Sequence, residues 1–435
     1  MALLQLYSKN PDFSWILSKN PEGDMQIKSL REGHSFGWYS KGRSDTYNIY
    51  FKDHDTQVSF GDVRDESDFS AEYIDTSRYI SSQAYIKMLD DFLFSVVRKP
   101  SDKDVGNFES TIHLSMVDVV GLDKFAKYFP DFTFTLNPFS KNKKVKSLLV
   151  STQKPIRDLI CCVMAYLMMT SIKTNQLGWV DDNWVEKAFR CLNKIKAPIG
   201  VRQYFKVNLI NSPKIFTKLK SQIDIPGVTD FKFGSTSMAR HSFVSNNLSK
   251  DMAVYDFGCG EGAYFKYAKK LEQGLNWYYH DIDEERMKLC EKLVKKKELV
   301  NVVAGKPPLT SGVDNTPFVQ AVMVEVLEHM PKEGSRNAII DAVENLGIQK
   351  LILTLPNRNF NKYYLMSEDE TRLDDHFWEP DYVEAVDFVK ETLSEEDWVF
   401  DFFALGDLVL SQISEDGVVV EASSPTTGIV ITRRK

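Results

Sequence analysis

Cysteine is scarce: the 435 residues hold five, Cys161, Cys162, Cys191, Cys259 and Cys290. The number is odd and no Cys-x-x-Cys pair occurs, which argues against a disulfide framework and for a reducing, cytoplasmic setting. Long apolar runs are missing as well. The longest, residues 159–169, is too short to cross a bilayer and abuts Arg157 and Asp158, so a buried helix is expected there and no membrane span. The start, Met1-Ala2-Leu3-Leu4-Gln5-Leu6-Tyr7, has neither a basic region nor a small-residue cleavage site, so no secretion signal is expected. Internal repeats and low-complexity tracts are absent. Acidic residues are missing between Lys187 and Ile223, a stretch that carries Lys187, Arg190, Lys194, Lys196, Arg202, Lys206, Lys214, Lys218 and Lys220. With Phe189, Tyr204, Phe205 and Phe216 interleaved, it suits either a polyanion-contacting surface or a solvated helix face.

What is present describes a globular protein with ample core: 43% hydrophobic and 12% aromatic residues, in a chain long enough for two or three domains. The net charge of −7 is unevenly spread. Residues 1–235 hold 32 Lys and Arg against 27 Asp and Glu, a balance of +5, and the remaining 200 hold 22 against 34, or −12.

The first region, residues 1–230, has a mixed α/β pattern. Residues 46–51 and 111–116 alternate like strands. Residues 78–97 place apolar side chains at helical spacing, residues 155–172 read as a buried helix opened by proline, and Asp181 is placed to cap a helix over 184–195. Its histidines, His34, His54 and His113, are isolated and read as structural. The Ser/Asn/Gly-rich stretch 225–250 marks the boundary to a second domain, residues 231–435. There the pattern becomes a regular strand–helix alternation: strands at 252–257, 277–280, 300–304, 318–324, 350–355, 399–405 and 428–432, helices at 261–272, 284–297, 336–346 and 381–393. Such alternation predicts a doubly wound parallel sheet.

Asp256-Phe257-Gly258-Cys259-Gly260-Glu261-Gly262 falls at the first strand-to-helix junction. Glycines there let the backbone approach a ligand, and helix N-terminal amides can hold its polar end. The G-x-G-x-G spacing departs from the dinucleotide fingerprint G-x-G-x-x-G and favours S-adenosylmethionine, with Asp256 near the methionyl ammonium; a dehydrogenase-like domain is the alternative. Asp281 ends the next strand, where a carboxylate can bond both ribose hydroxyls. Asp283 suits a helix cap better, and Gly305-Lys306-Pro307 should border the adenine. The expected cofactor set is Asp256, Gly258, Cys259, Gly260, Asp281, Ile282 and Lys306. Glu325-Val326-Leu327-Glu328-His329 follows the strand at 318–324. If helical, it puts Glu325, Glu328 and His329 on one face, suited to a divalent metal, and His376 follows the next strand-like run. A solvated acidic turn is the plain alternative.

Together these residues resemble the bacterial-type RNA 3′-terminal 2′-O-methyltransferases, relatives of the enzymes that methylate the ends of small silencing RNAs. The resemblance rests on residues 256–262, on 324–329, on Thr354-Leu355-Pro356-Asn357-Arg358-Asn359-Phe360-Asn361, and on Asp375-His376 with Trp378. It extends more loosely through residues 73–82, 156–159 and 178–182. Lys306, where the family usually has a small serine, and the short run Phe377-Trp378-Glu379-Pro380 depart from it. The resemblance implies a class I S-adenosylmethionine-dependent methyltransferase (Rossmann-like) domain with Glu325, Glu328, His329 and His376 as ligands of a divalent metal, Mn or Mg. It also implies methylation of the 2′-hydroxyl of an RNA 3′ end with free 2′- and 3′-hydroxyls. The N-terminal domain of such chains is associated with a polynucleotide kinase–phosphatase–ligase in RNA repair and supports the ligase. His329 or Glu325 is the expected catalytic proton acceptor. The competing functions are a small-molecule or protein methyltransferase and a non-catalytic scaffold of a repair complex.

Overall fold

A computed structural model describes residues 2–30, 33–53, 80–138, 145–175, 181–307, 319–364, 366, 370–413 and 419–434. Residues 73–79 and 178–180 of the looser resemblance lie outside them, as do His54 and the first residue of the strand expected at 318–324. The chain divides into two compact units, Met1–Ile215 and Phe216–Lys435.

The first unit is built on one antiparallel sheet. Its strands are β1 (Ala2–Ser8), β2 (Gln26–Leu30), β3 (Gly33–Tyr39), β4 (Thr46–Asp53), β5 (Ser110–Val117), β6 (Phe132–Pro138) and β7 (Lys146–Thr152). They lie in the order β2-β3-β4-β1-β5-β7-β6. Only β4 and β5 were foreseen from the sequence. Strands β3 and β5 bury alternate residues, as a half-covered sheet requires. The helix Ile156–Lys173 is buried nearly all round, as its composition predicts. The helix expected over 78–97 is two pieces, Ser82–Phe92 and Phe94–Arg98, and its apolar stripe Tyr85, Met88, Leu89 and Phe92 is buried. Asp181 caps Asp182–Lys194, accepting from the Trp184 amide at 2.8 Å.

The basic stretch is largely consumed by packing rather than displayed. Arg202 and Lys206 are buried, Lys187 pairs with Asp90, Arg190 pairs with Glu186, and Lys220 pairs with Asp224 and Asp230. The acidic partners come from outside the stretch or from its edges, while Lys196, Lys214 and Lys218 stay exposed.

The second unit contributes β8 (Thr229–Phe231), β9 (Ala253–Phe257), β10 (Trp277–His280), β11 (Val302–Ala304), β12 (Val319–Val324), β13 (Ile348–Pro356), β14 (Trp398–Leu405), β15 (Leu408–Ile413), β16 (Val419–Ser423) and β17 (Thr426–Arg433). Seven of them form one sheet, β11-β10-β9-β12-β13-β17-β14. Neighbours from β11 to β13 are parallel, whereas β17 runs antiparallel to both β13 and β14. The sheet is therefore parallel with one reversed strand, which corrects the all-parallel expectation. It is the class I S-adenosylmethionine-dependent methyltransferase fold, preceded by a separate mixed α/β domain. Helices Glu284–Lys296, Lys332–Glu344 and Tyr382–Thr392 fall where the alternation predicts them. The helix expected at 261–272 is instead a turn followed by a 3-10 segment, Phe265–Lys270. Gly258, Gly260 and Gly262 all have positive φ, so regular helix cannot start until the chain has left them. A small sheet, β16-β15-β8, was not foreseen. Among the described residues no helix is long and apolar enough to cross a membrane.

The order of strands reverses between β9 and β12. In open α/β sheets that switch point opens a crevice at the carboxyl ends of the strands, and both predicted motifs lie there.

Candidate active site

Strands β9 and β12 pair with Asp256 opposite Val322, so the glycine loop and the Glu325 turn leave the sheet side by side. They touch: a Cβ on Gly258 would come within 2.8 Å of both methyls of Val326. Gly258 thus needs glycine twice over, for its φ of +69° and for this contact. The Gly258 and Cys259 amides donate to the His280 carbonyl at 2.9 and 3.1 Å, which ties the loop to the tip of β10. Cys259 turns its thiol inward, 3.9 Å from that of Cys290, so it offers a ligand only its backbone.

Asp256 is buried and accepts from the Trp277 indole N–H at 3.2 Å. Burial, opposed in part by that bond, pushes its carboxyl up to about 7. A buried carboxylate so poorly compensated fits a cationic amine, as the methionyl ammonium requires. Asp281 is also buried, its Oδ2 accepting from the Gly260 amide at 2.8 Å and its Oδ1 from the Asp283 amide at 3.0 Å. Asp283 caps the helix Glu284–Lys296 through the Glu285 and Arg286 amides. Ile282 is 96% exposed at the mouth of the crevice, and Lys306 lies 3.9 Å from Asp341.

The acidic motif is not a helix. Glu325 has a left-handed φ of 54°, and only Leu327–His329 turns, as a single 3-10 turn. Glu325 is therefore not on a shared helical face with Glu328 and His329. The amide of Glu325 bonds Thr354 Oγ1 at 3.1 Å, while Thr354 donates back to Glu325 Oε1 at 2.9 Å. Arg240 pairs with Glu325 Oε2 at 2.5 Å. Glu328, His329 and His376 do converge, with one donor atom from each within 4.8 Å of the others. The two imidazoles meet edge to face, 4.7 Å between centroids. The structure thus brings together three of the four expected ligands and holds Glu325 against Arg240 and Thr354.

Glu328 is fully buried, and among the described residues neither of its carboxylate oxygens has a hydrogen-bond partner. Burial, with the nearby charge of Glu325, pushes its carboxyl well up. An uncompensated buried carboxylate is strongly destabilising, so two orphaned oxygens beside two imidazoles fit a divalent cation.

His376 reaches the cluster because its segment is stapled to the turn. The Phe377 amide donates to the Glu328 carbonyl at 2.8 Å, and the Trp378 indole donates to the Leu327 carbonyl at 3.1 Å. Behind it sits a buried polar network not foreseen from sequence. His376 Nδ1 is 2.5 Å from Glu379 Oε1, Asn361 donates to Glu379 Oε2 at 2.6 Å, and the Arg372 amide donates to Oε1 at 2.7 Å. The Arg372 guanidinium bonds Asn361 and the carbonyls of Asn357 and Pro425. Burial alone would push the Glu379 carboxyl up. The bonds from Asn361, the Arg372 amide and His376 outweigh it and hold that carboxyl below the usual range. The His-x-x-Glu spacing could have signalled Glu379; nothing local in the sequence marks Arg240.

The Hen1 N-terminal domain family model matches residues 3–225, half of the chain. Two solved structures match over nearly its whole length. One is described as the Pnkp1/Rnl/Hen1 RNA repair complex, the other as the Pnkp1/Rnl/Hen1 complex. In each, the matched chain is 21% identical, the match covers 99% of this chain and 100% of that one, and the TM-score is 0.74. A structure described as the small RNA methyltransferase HEN1 is 18% identical over 46% of this chain and 25% of its own, with a TM-score of 0.35. No curated protein sequence matches.

Proposed function

Because the chain belongs to the Hen1 family, we propose that it methylates the 2′-hydroxyl of the 3′-terminal nucleotide of RNA. The reaction would depend on S-adenosylmethionine and a divalent metal and serve RNA repair. The observation that carries this is Glu328: a buried carboxylate with both oxygens unpartnered, grouped with His329 and His376, two residues from the Val326 side chain that packs on the cofactor loop.

Glu328, His329 and His376 would hold the cation, and Asp256, Asp281 and the 258–260 backbone would hold the cofactor, whose sulfonium supplies the methyl group. A divalent cation held by these three residues would supply Lewis acidity to a terminal hydroxyl, and this is the basis on which a free 3′ terminus would be chosen over internal nucleotides. The protein's share is positioning: the Gly258–Val326 contact sets the donor loop against the acceptor cluster, and alignment of two reactants can supply much of the acceleration. Both proton acceptors left open by the sequence are engaged, Glu325 by Arg240 and Thr354 and His329 through Nδ1, which faces Asp375 at 3.2 Å.

The first unit, which carries the family match, is the surface we assign to a polynucleotide kinase–phosphatase–ligase partner, and co-purification of residues 1–215 with such a ligase tests it. The catalytic proposal is tested by incubating the protein with S-adenosylmethionine, Mn²⁺ and a short RNA. Periodate resistance is expected at a 3′ end with free 2′- and 3′-hydroxyls. No transfer of labelled methyl is expected to RNA ending in a 3′-phosphate or a 2′-deoxynucleotide, termini that lack the diol periodate cleaves. Turnover of either blocked RNA overturns end selection. Glu328→Ala and His329→Ala should abolish transfer while S-adenosylmethionine still binds; undiminished transfer by either removes the metal.

A further inference from the structure

We propose that one short segment, residues 374–380, supplies both a metal ligand and the two carboxylates that aim the imidazole ligands. On this proposal Glu379 is the positioning residue for His376, and Asp375 is that for His329. The inference rests on the metal-centre proposal above and deepens it.

The two rings are held differently, His376 by a hydrogen bond and His329 by an ion-pair contact alone. His376 Nδ1 lies 2.5 Å from Glu379 Oε1, and His329 Nδ1 lies 3.2 Å from Asp375 Oδ2. Each carboxylate oxygen occupies the Nδ1 side of its ring, which leaves Nε2 as the nitrogen free to ligate. An imidazole whose Nδ1–H is donated to a carboxylate is fixed in tautomer and rotation and becomes a stronger metal donor. The surroundings make the two acids unequal. The side chains of His376 and Glu379 are 4% and 1% exposed, whereas Asp375 is 68% exposed. Glu379 is moreover clamped by Asn361 and the Arg372 amide, so its oxygens cannot turn away from the ring. A buried, clamped acceptor holds its ring rigidly, and an exposed one is screened by water and holds it weakly. Glu379 is therefore the dominant positioning residue and Asp375 the minor one.

The test is calorimetric titration of Mn²⁺ into the full chain, paired with long-range ¹H–¹⁵N spectra of the metal-free protein that report the histidine tautomers. Glu379→Ala should weaken Mn²⁺ binding by about 10- to 100-fold, the usual cost of losing such a partner. Glu379→Gln, which keeps an acceptor oxygen without the charge, should lose less and guards against a misfolded alanine variant. Asp375→Asn should lose no more than about threefold, as an exposed pair implies. S-adenosylmethionine affinity should stay unchanged in all three. In the unmutated protein His376 should carry its proton on Nδ1, and in Glu379→Ala it should populate both tautomers. Unaltered Mn²⁺ affinity in both Glu379 variants, or a His376 proton on Nε2 in the unmutated protein, overturns the inference. Failure of the unmutated protein to bind Mn²⁺ would instead overturn the metal centre, and the tautomer spectra would still decide the role of Glu379.

Discussion

Asp256 and Glu328 are carboxylates that the chain buries without neutralising them, and their chemistry can be read before any ligand is added. Asp256 titrates near 7 because it is buried, against an ordinary value near 4 in the unfolded chain. A carboxyl raised on folding binds protons more tightly in the folded state. Its stabilising effect is full below the unfolded value and is lost as pH rises through the folded one. Asp256→Asn keeps an acceptor for Trp277 and removes that loss. Relative to the unmutated, cofactor-free protein, the variant should gain on the order of 3 kcal/mol between about pH 5 and about pH 8. Urea denaturation at the two pH values measures it, and parallel behaviour of the two proteins would show that Asp256 is not buried in its charged form. Glu325 yields a second outcome at this scale. Glu325 lies outside the cluster and is held by Arg240 and Thr354, so Glu325→Gln should keep Mn²⁺ affinity, and a fall in kcat of about 100-fold or more in that variant would assign it the proton. Loss of Mn²⁺ affinity in that variant would return Glu325 to the ligands. These residues were legible because they recur at strand ends in a fixed order. Arg240 and Arg372 were not, because their side chains act through partners at least eleven positions away, and nothing local betrays such pairing.

At the level of elements, legibility follows the range of the interactions. Helices Glu284–Lys296 and Tyr382–Thr392 carry their own signals, an Asp at each N-cap and a repeating apolar face. Most strands of the first sheet carry almost none. β2 reads Gln-Ile-Lys-Ser-Leu with no burial rhythm, and β1 finds its partner β5 more than a hundred residues away, Leu4 opposite Leu114. The acidic motif failed in the other direction, since its i, i+3, i+4 spacing suits a helix that Glu325's left-handed backbone prevents. The buried helix Ile156–Lys173 depends on one distant residue for its start: Asp104, itself buried, accepts the Ile156 and Arg157 amides at 2.7 and 3.1 Å. Asp104→Ala leaves both amides without partners and should cost about 2 kcal/mol, the upper end for a lost cap. Asp104→Asn, which keeps one good acceptor, should cost roughly half as much. Chemical denaturation of the first unit distinguishes them, and an alanine variant as stable as the parent would mean that water satisfies the helix end.

For the whole molecule, the question the sequence left to composition is where one unit stops. The Ser/Asn/Gly-rich stretch pointed to a cut after residue 230, yet β8 spans Thr229–Phe231 and belongs to the second unit by its bonds. Phe231 pairs opposite Leu408 and Thr229 opposite Leu410, and the Ser411 amide donates to the Val228 carbonyl. The helix Pro213–Ile223 is held to the same strand, since Lys220 bonds the Phe231 carbonyl and the Phe231 amide bonds Asp224 just beyond that helix. A fragment of residues 216–435 keeps most of that helix and all of β8, and should unfold in one cooperative transition and bind S-adenosylmethionine as the full chain does. A fragment of residues 231–435 leaves the β15 edge partly unpaired and removes the groups that cover it. It should be less stable by at least about 2 kcal/mol, the cost of a few lost hydrogen bonds and their packing. Thermal melts of the two fragments decide the matter. Equal stability would mean that β8 adds nothing to the methyltransferase unit and that the boundary belongs at the composition change.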